Sequence, residues 1–213
     1  MNERAALQSG LILAAVAGGS WIFLLAMGDD MPMDAGLWIG AWTVMMAAMM
    51  LPSAAPLVLL YGGRTKAADS TLLMTGYLLV WAAAGLAAYA VDSRVMDPPD
   101  GVVAGVLIAA GIYQFTPLKN ACLRRCRNPA DFLVTHWHGG SAGGVRIGIE
   151  HGAYCVGCCW TLMAVLVLVG AMALAWVAVI ALAVAAEKLL PQGEALARVV
   201  GVALVTGGIV VAT

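Results

Sequence analysis

Charged residues are scarce in this sequence. Only 11% of its 213 residues are Asp, Glu, Lys or Arg, whereas 62% are hydrophobic, and the formal net charge is -1. Soluble domains carry roughly twice that charged fraction, so the composition excludes a water-facing globular fold. The chain also lacks a basic surplus for binding nucleic acid and a Gly-rich phosphate-binding loop for ATP. The membrane class remains.

Long apolar runs dominate the sequence instead. Runs near 20 residues with charges at their ends predict an all-α, polytopic transmembrane helix bundle that forms a single domain over 1–213. The run 147–186 would make one helix of about 60 Å, twice the hydrocarbon thickness, so we expect Gly170 to divide it into two passes. We predict seven spans, at 11–27, 37–61, 71–91, 101–115, 145–169, 172–186 and 199–213.

The Lys and Arg residues predict an orientation. With the N-terminus in the cytoplasm, ten of the eleven lie on the cytoplasmic side and only Arg94 lies outside, as the positive-inside distribution requires. The C-terminus then lies outside, and 116–144 becomes a cytoplasmic loop with a flexible Gly-rich end at 139–144. The first apolar run resembles a signal peptide, but it is long and its cleavage signal is poor, so we expect a retained helix.

One predicted span carries three thiols and an imidazole on a single face. His151, Cys155, Cys158 and Cys159 occupy positions i, i+4, i+7 and i+8, which fall within one sector of a helix. Packing alone does not require such a face in a membrane helix. It indicates either a soft metal ion or disulfide exchange.

A second stripe lies on the helix predicted at 37–61. It consists of Trp38, Trp42, Met45, Met46, Met49 and Ser53, with Met50 at its edge. Pro52 follows the methionines and cannot donate to the carbonyl of Ala48, so we expect that carbonyl to need another partner. Methionine is also a common gap filler in buried helix faces, and the stripe alone is compatible with ordinary core packing.

The two motifs are expected at the same depth. Met45 lies about 12 Å from the outer end of its span, and Cys155 lies about 15 Å from the inner end of its own, so both are near the midplane. Gly148 and Gly152 share the cysteine face and would let another helix approach it closely. If that neighbour is the methionine helix, thiolates and thioethers share one site. These soft ligands favour Cu(I), with zinc as the second choice.

Other residues are secondary candidates. Cys122 and Cys126 are four residues apart among basic residues, which indicates either a secondary metal or redox pair or incidental cysteines beside interfacial anchors. Trp42, Glu150 and Glu187 are candidates for orienting a ligand or accepting a proton. The two carboxylates equally fit a snorkelling position at a span end.

Three separated motifs resemble a bacterial family of predicted metal-binding integral membrane proteins, classed as a domain of unknown function. They are Met45-Met46-Ala47-Ala48-Met49-Met50-Leu51-Pro52-Ser53, Tyr113-Gln114-Phe115-Thr116-Pro117-Leu118-Lys119 with Cys122 and Cys126, and Cys155-Val156-Gly157-Cys158-Cys159-Trp160 followed by Glu187-Lys188. The resemblance extends from Trp42 to about Lys188. It implies a multi-pass protein of the bacterial inner membrane that binds metal, with no assigned reaction.

Three functions fit these observations. The first is handling of Cu(I), by transport, delivery or storage, with the lipid bilayer, the metal ion and a metallochaperone or metalloenzyme subunit as partners. The second is a membrane thiol-disulfide oxidoreductase that uses the Cys155–Cys158 CxxC pair. The third is an accessory subunit for assembly of a larger membrane metalloenzyme. An enzymatic role is less favoured, because a CxxC pair near the midplane is poorly placed to meet a protein dithiol.

Overall fold

The chain folds into α-helices. The computed structural model describes residues 2–28, 34–94, 98–170 and 173–213, and these residues contain no β-strand. The helices of the described residues are α1 (Glu3–Met27), α2 (Ala35–Gly62), α3 (Ala67–Asp92), α4 (Asp100–Tyr113), α5 (Pro117–Arg127), α6 (Pro129–Thr135), α7 (Gly140–Gly170), α8 (Leu174–Leu189) and α9 (Gly193–Ala212). The predicted all-α class is confirmed.

Five of these helices, α1, α2, α3, α7 and α9, are long and apolar enough to cross a membrane. The pair α4 and α5 is bent by 63° and gives a sixth span if it crosses as one broken element. α8 has 16 residues and is about 24 Å long, which is shorter than the hydrocarbon core. Seven spans and the orientation of the termini therefore stay predictions.

Gly170 ends α7, as expected. Its φ is +104°, a conformation that glycine adopts without strain, and α8 begins at Leu174. Residues 171 and 172, which follow Gly170, lie outside the described residues. α8 then runs back along α7, because Lys188 near its end contacts Cys155 in the middle of α7. The two segments form an antiparallel hairpin.

The glycine face of α7 packs against α3 and not against α2. A Cβ atom at Gly148 would collide with the backbone of Leu73, and one at Gly152 would lie 3.2 Å from the carbonyl oxygen of Tyr77. The small residues therefore do allow a close helix contact, and the helix that makes it is α3, not α2, the neighbour considered from the sequence. α2 packs instead against α1, α3 and α8. The spacing of the glycines on α7 predicts a close helix contact, but it does not identify the helix that makes the contact.

The segment 116–144 is largely helical. Thr116 caps α5 by accepting a hydrogen bond from the Lys119 amide at 3.2 Å, and Pro117 occupies the first turn, where its missing N–H is not needed. α6 follows after Asn128. The expected flexible loop at 139–144 is wrong, since α7 begins at Gly140. Gly144 packs close to the Asp69 carbonyl, so this stretch belongs to the α3–α7 contact.

The carbonyl that Pro52 leaves without a partner is satisfied by α1. The indole Nε1 of Trp21 donates to the Ala48 oxygen at 3.1 Å. The Ser53 hydroxyl donates to the oxygen of Met50 at 2.8 Å. α2 remains helical through two internal prolines, and the indole of Trp21 replaces the bond that Pro52 cannot make.

Candidate metal centre

The three cysteines of α7 form a compact group. The Sγ atoms of Cys155, Cys158 and Cys159 lie within 4.8 Å of one another, and all three side chains are buried. They come together because positions i, i+3 and i+4 share one face of a helix. Three thiol groups at this spacing can hold a soft metal ion.

Cys155 is the anchor of this group. The ammonium of Lys188 donates to its Sγ at 2.8 Å, and the hydroxyl of Tyr77 lies 2.9 Å from the same sulfur. An ammonium has donors only, so the sulfur is the acceptor, as a thiolate would be. Lys188 is buried and forms no ion pair with a carboxylate in the described part of the chain. The sulfur of Cys155 is therefore an acceptor in direct contact with this buried cation, and this contact favours its thiolate form.

The other two cysteines of α7 face the backbone. The Sγ of Cys158 donates to the carbonyl oxygen of Cys155 at 3.1 Å, and that of Cys159 donates to the same oxygen at 2.9 Å. A sulfur that donates carries its proton. The group thus combines one sulfur that accepts from an ammonium with two thiols that donate to a backbone carbonyl.

Helix α5 brings two further thiols to this face. The Sγ of Cys126 lies 4.0 Å from that of Cys158, and Cys126 is 8% exposed. Cys122 lies over Gly157, where a Cβ would come within 2.8 Å of its sulfur. The glycine in the Cys-Val-Gly-Cys-Cys motif therefore makes room for α5. The two cysteine motifs, separate in sequence, form one cluster, which we call the thiol cluster: Cys122, Cys126, Cys155, Cys158 and Cys159.

A buried ion pair joins α5 to α8 beside the thiol cluster. The Nζ of Lys119 lies 2.6 Å from Oε2 of Glu187, and both side chains are almost completely buried. Arg127 reinforces the contact by donating to the backbone oxygens of Glu187 at 2.7 Å and of Pro191 at 2.9 Å. These bonds fix the position of α5, and hence of Cys126, against α8.

The Trp/Met stripe lies in the same hydrophobic core. All of its members, Trp38, Trp42, Met45, Met46, Met49, Met50 and Ser53, are buried. Ser53 is the link to the cysteines, because its hydroxyl accepts from Lys188 at 3.1 Å while Lys188 also donates to Cys155. Trp38 and Trp42 stack with ring centroids 5.3 Å apart. The indole of Trp42 donates to the Trp81 oxygen at 3.1 Å, so its N–H is occupied.

His151 and Glu150 lie one to two turns before the cysteines on α7. His151 is buried and its Nδ1 has no hydrogen-bond partner, but the compact sulfur group does not include it. Glu150 pairs with Arg146 at 3.0 Å and lies 3.5 Å from the imidazole of His138. An unpartnered buried nitrogen is compatible with a ligand role for His151, whereas Glu150 has cationic partners of its own.

Sequence reasoning missed three residues of this centre. Lys119 and Lys188 had the pattern of cytoplasmic anchors, yet the structure buries both of them. Tyr77 has no distinguishing signal within its apolar run. The one useful sequence signal for these residues is the pair Glu187-Lys188. Adjacent residues of a helix face different directions, so two buried opposite charges adjacent in sequence must each have a partner on another helix.

Comparison with known proteins gives one match. Neither a search of curated proteins nor a search of solved structures finds a match. A family model described as PpoB2, copper chaperone, matches residues 39–211. The match includes α3 to α8 in full, α2 from Ile39 onward and α9 up to Val211, and so every residue of the thiol cluster. The chain therefore belongs to the PpoB2 family of copper chaperones.

Proposed function

We propose that this protein binds Cu(I) within a bacterial inner membrane and delivers it to a copper acceptor. The single observation that carries the proposal is the bond between Lys188 and Cys155 beside two further thiols. Thiolates are soft ligands and prefer Cu(I) among the ions available to a cell. The family description supports copper as the cargo.

Charge balance supports the monovalent ion. Two thiolates with one Cu(I) carry a net charge of −1, which the ammonium of Lys188 neutralises. A neutral assembly is strongly favoured in a buried, low-dielectric site. Cys155 supplies the first thiolate, and Cys158 or Cys159 becomes the second when the metal displaces its proton, which is released to a base or to solvent. Zinc would need three thiolates for the same balance, so it is the second candidate.

The ligands divide into a core and its neighbours. Cys155, Cys158 and Cys159 are the core ligands. The neutral sulfurs of Met45, Met46, Met49 and Met50 and the free nitrogen of His151 are further candidate ligands. Trp42, Glu150 and Glu187 are candidates for orienting ligands or accepting the released proton.

A graded exposure of the sulfurs supports delivery. Cys158 is 1% exposed and Cys126 is 8% exposed. Cys122, which lies one turn before Cys126 on α5, is partly exposed. Thiolates exchange a soft ion through shared coordination, so a row of sulfurs from the core to the edge of α5 gives the ion a route. This route suits handover to another protein.

The experiment is anaerobic loading with Cu(I) followed by copper analysis and X-ray absorption of the bound ion. We expect stoichiometric copper with sulfur ligands, and loss of that copper in Cys155→Ala. Thr161→Val is the matched control, because this buried hydroxyl lies on α7 and has no hydrogen-bond partner. It should leave the copper content unchanged. Full copper loading of Cys155→Ala would overturn the proposal.

A further inference from the structure

Only some of the thiols can form a disulfide. Neighbours within one helix, such as Cys155 and Cys158 or Cys122 and Cys126, have Cβ atoms about 5–6 Å apart. A disulfide needs about 3.5–4.5 Å, so these pairs close only if the helix unwinds. Both pairs lie inside continuous helices, α7 and α5.

Cys126 and Cys158 are different because they lie on separate helices. Their Sγ atoms are 4.0 Å apart, which is van der Waals contact for two thiols. Rotation about the side-chain bonds, with a small shift of α5, brings them to the bonding distance of about 2 Å. α5 is a short helix that meets α4 at a 63° bend, and it is the more easily displaced of the two.

The other two core sulfurs, those of Cys155 and Cys159, are held in place by other contacts. Cys155 is held by Lys188 and Tyr77, and Cys159 by the Cys155 carbonyl. If Cys126 and Cys158 become linked, Cys155 and Cys159 still provide two sulfurs for a Cu(I) ion. Oxidation of the cross-helix pair and retention of copper are therefore compatible.

We infer that Cys126 and Cys158 are a dithiol reductant that converts arriving cupric ion into the Cu(I) that the site binds. Each thiol gives up one electron and one proton. Two Cu(II) ions are reduced to Cu(I), one S–S bond forms between Cys126 and Cys158, and two protons leave to solvent. The inference rests on the proposed copper function and gives it a second activity, stoichiometric reduction of Cu(II).

The test uses the full chain, reduced and kept anaerobic in detergent. Copper(II) sulfate is added with a Cu(I)-specific chromogenic chelator, and the disulfide is located by peptide mass spectrometry. We expect two Cu(I) for each disulfide formed and a Cys126–Cys158 linkage as the first product. A first linkage between Cys155 and Cys158, or Cu(I) formation without any linkage, would overturn the inference.

The variant Cys126→Ser should lose both the linkage and the first two equivalents of Cu(I). Ala121→Ser is its matched control, since it places the same residue at an exposed position of the same helix. Equal Cu(I) yield in Cys126→Ser and the control would contradict the inference. The linkage is mapped in the unaltered protein, so the test holds even if Cys126→Ser folds poorly.

Direct addition of Cu(I) to the unaltered protein separates the two proposals. Binding of Cu(I) without reduction of Cu(II) would remove the dithiol inference and keep the copper site. Failure to bind Cu(I), with the Cys126–Cys158 linkage still formed, would remove the copper site and leave a redox pair.

Discussion

The molecule has two sulfur-rich regions that are built in opposite ways. The cysteine side, formed by α5, α7 and α8, contains buried charges: the Lys119–Glu187 pair and the ammonium of Lys188 on Cys155. The methionine side, formed by α2 with α1 and α3, has no charge among its buried sulfurs. Its polar groups are indoles and a hydroxyl. Trp21, Trp42 and Ser53 donate to backbone carbonyls, and Trp38 donates to the carboxylate of Asp92 at the end of α3 at 2.9 Å.

The difference indicates which side is suited to the proposed metal site. Neutral thioethers can be buried by packing alone, at no electrostatic cost, so the methionine side is stable with or without an ion. A buried ammonium is unfavourable without an anion. The cysteine side therefore carries a charge requirement that a Cu(I)-dithiolate satisfies as well as the single thiolate does. Two side chains link the two sides: Lys188 bonds to Ser53 and Cys155, and the hydroxyl of Tyr77 on α3 lies 2.9 Å from the sulfur of Cys155.

The largest expected effect is a difference in Cu(I) affinity between variants of the two sides. Cys155→Ser and Met49→Leu each remove one sulfur. We expect the first to lower Cu(I) affinity by more than about 100-fold, since changes outside the ligand sphere alone cost 10- to 100-fold. The second should cost about 10-fold, because a neutral ligand is lost and leucine refills the volume. Competition with a Cu(I) chelator measures both. Equal losses would show that the two sides hold one ion jointly.

The second prediction concerns the contribution of the buried Lys119–Glu187 pair to the stability of the cysteine side. Lys119→Met leaves Glu187 buried without its partner and should lower the free energy of unfolding by about 3–5 kcal/mol. The double variant with Glu187→Leu should recover most of that loss. Arg125→Gln is the control, because its contact with Asp131 is exposed at 3.7 Å and should be worth less than about 1 kcal/mol. Denaturant titration in detergent micelles compares the three. A small effect of Lys119→Met alone would show that the pair is not structural.

Backbone contact gives a third comparison. Gly148→Ala on α7 forces a Cβ into the backbone of Leu73 and should destabilise the fold by about 1–3 kcal/mol. Gly40→Ala on α2 meets open space and should be neutral or stabilising by up to about 1 kcal/mol. Thermal unfolding in detergent measures the difference. Similar melting temperatures for the two variants would contradict the close α3–α7 packing.

The smallest effect concerns the methionine side. Trp21→Phe removes the donor to the Ala48 carbonyl and should cost about 1 kcal/mol, the usual value of one hydrogen bond. Trp176→Phe is the control, since that indole is half exposed on α8. Unfolding in detergent again provides the measurement, and copper affinity should not change. A loss of copper in Trp21→Phe would show that the contact between α1 and α2 at Ala48 also shapes the metal site.

Much of this could be predicted from the sequence, for physical reasons. Apolar run length located the helices, and the impossibility of a 60 Å apolar helix, estimated from a rise of about 1.5 Å per residue, located the break at Gly170. Helical periodicity placed Cys155, Cys158 and Cys159 on one face. Each of these inferences depends on the local geometry of a single segment.

The unpredicted parts depend on contacts between segments. Gly148 and Gly152 allow a close approach by any helix, and the sequence could not tell α3 from α2. Lys188 at the end of an apolar run has the same pattern whether it snorkels or turns inward. The partnership of Cys126 with Cys158 needs the bend between α4 and α5, for which Pro117 is the only local sign. Tertiary packing decides all three.

The glycine contact between α3 and α7 determines which parts of the centre can move. With the backbones of Gly148 and Leu73 in contact, no layer of side chains separates the two helices, and they behave as one rigid body. The thiols of α7 are fixed to that body. α5 follows the bend at 113–117 and is held against α8 mainly by the contacts of Lys119 and Arg127 with Glu187. Under the proposed function, we therefore expect release of the ion to begin with an outward movement of α5 about this bend, while the cysteines of α7 keep their positions.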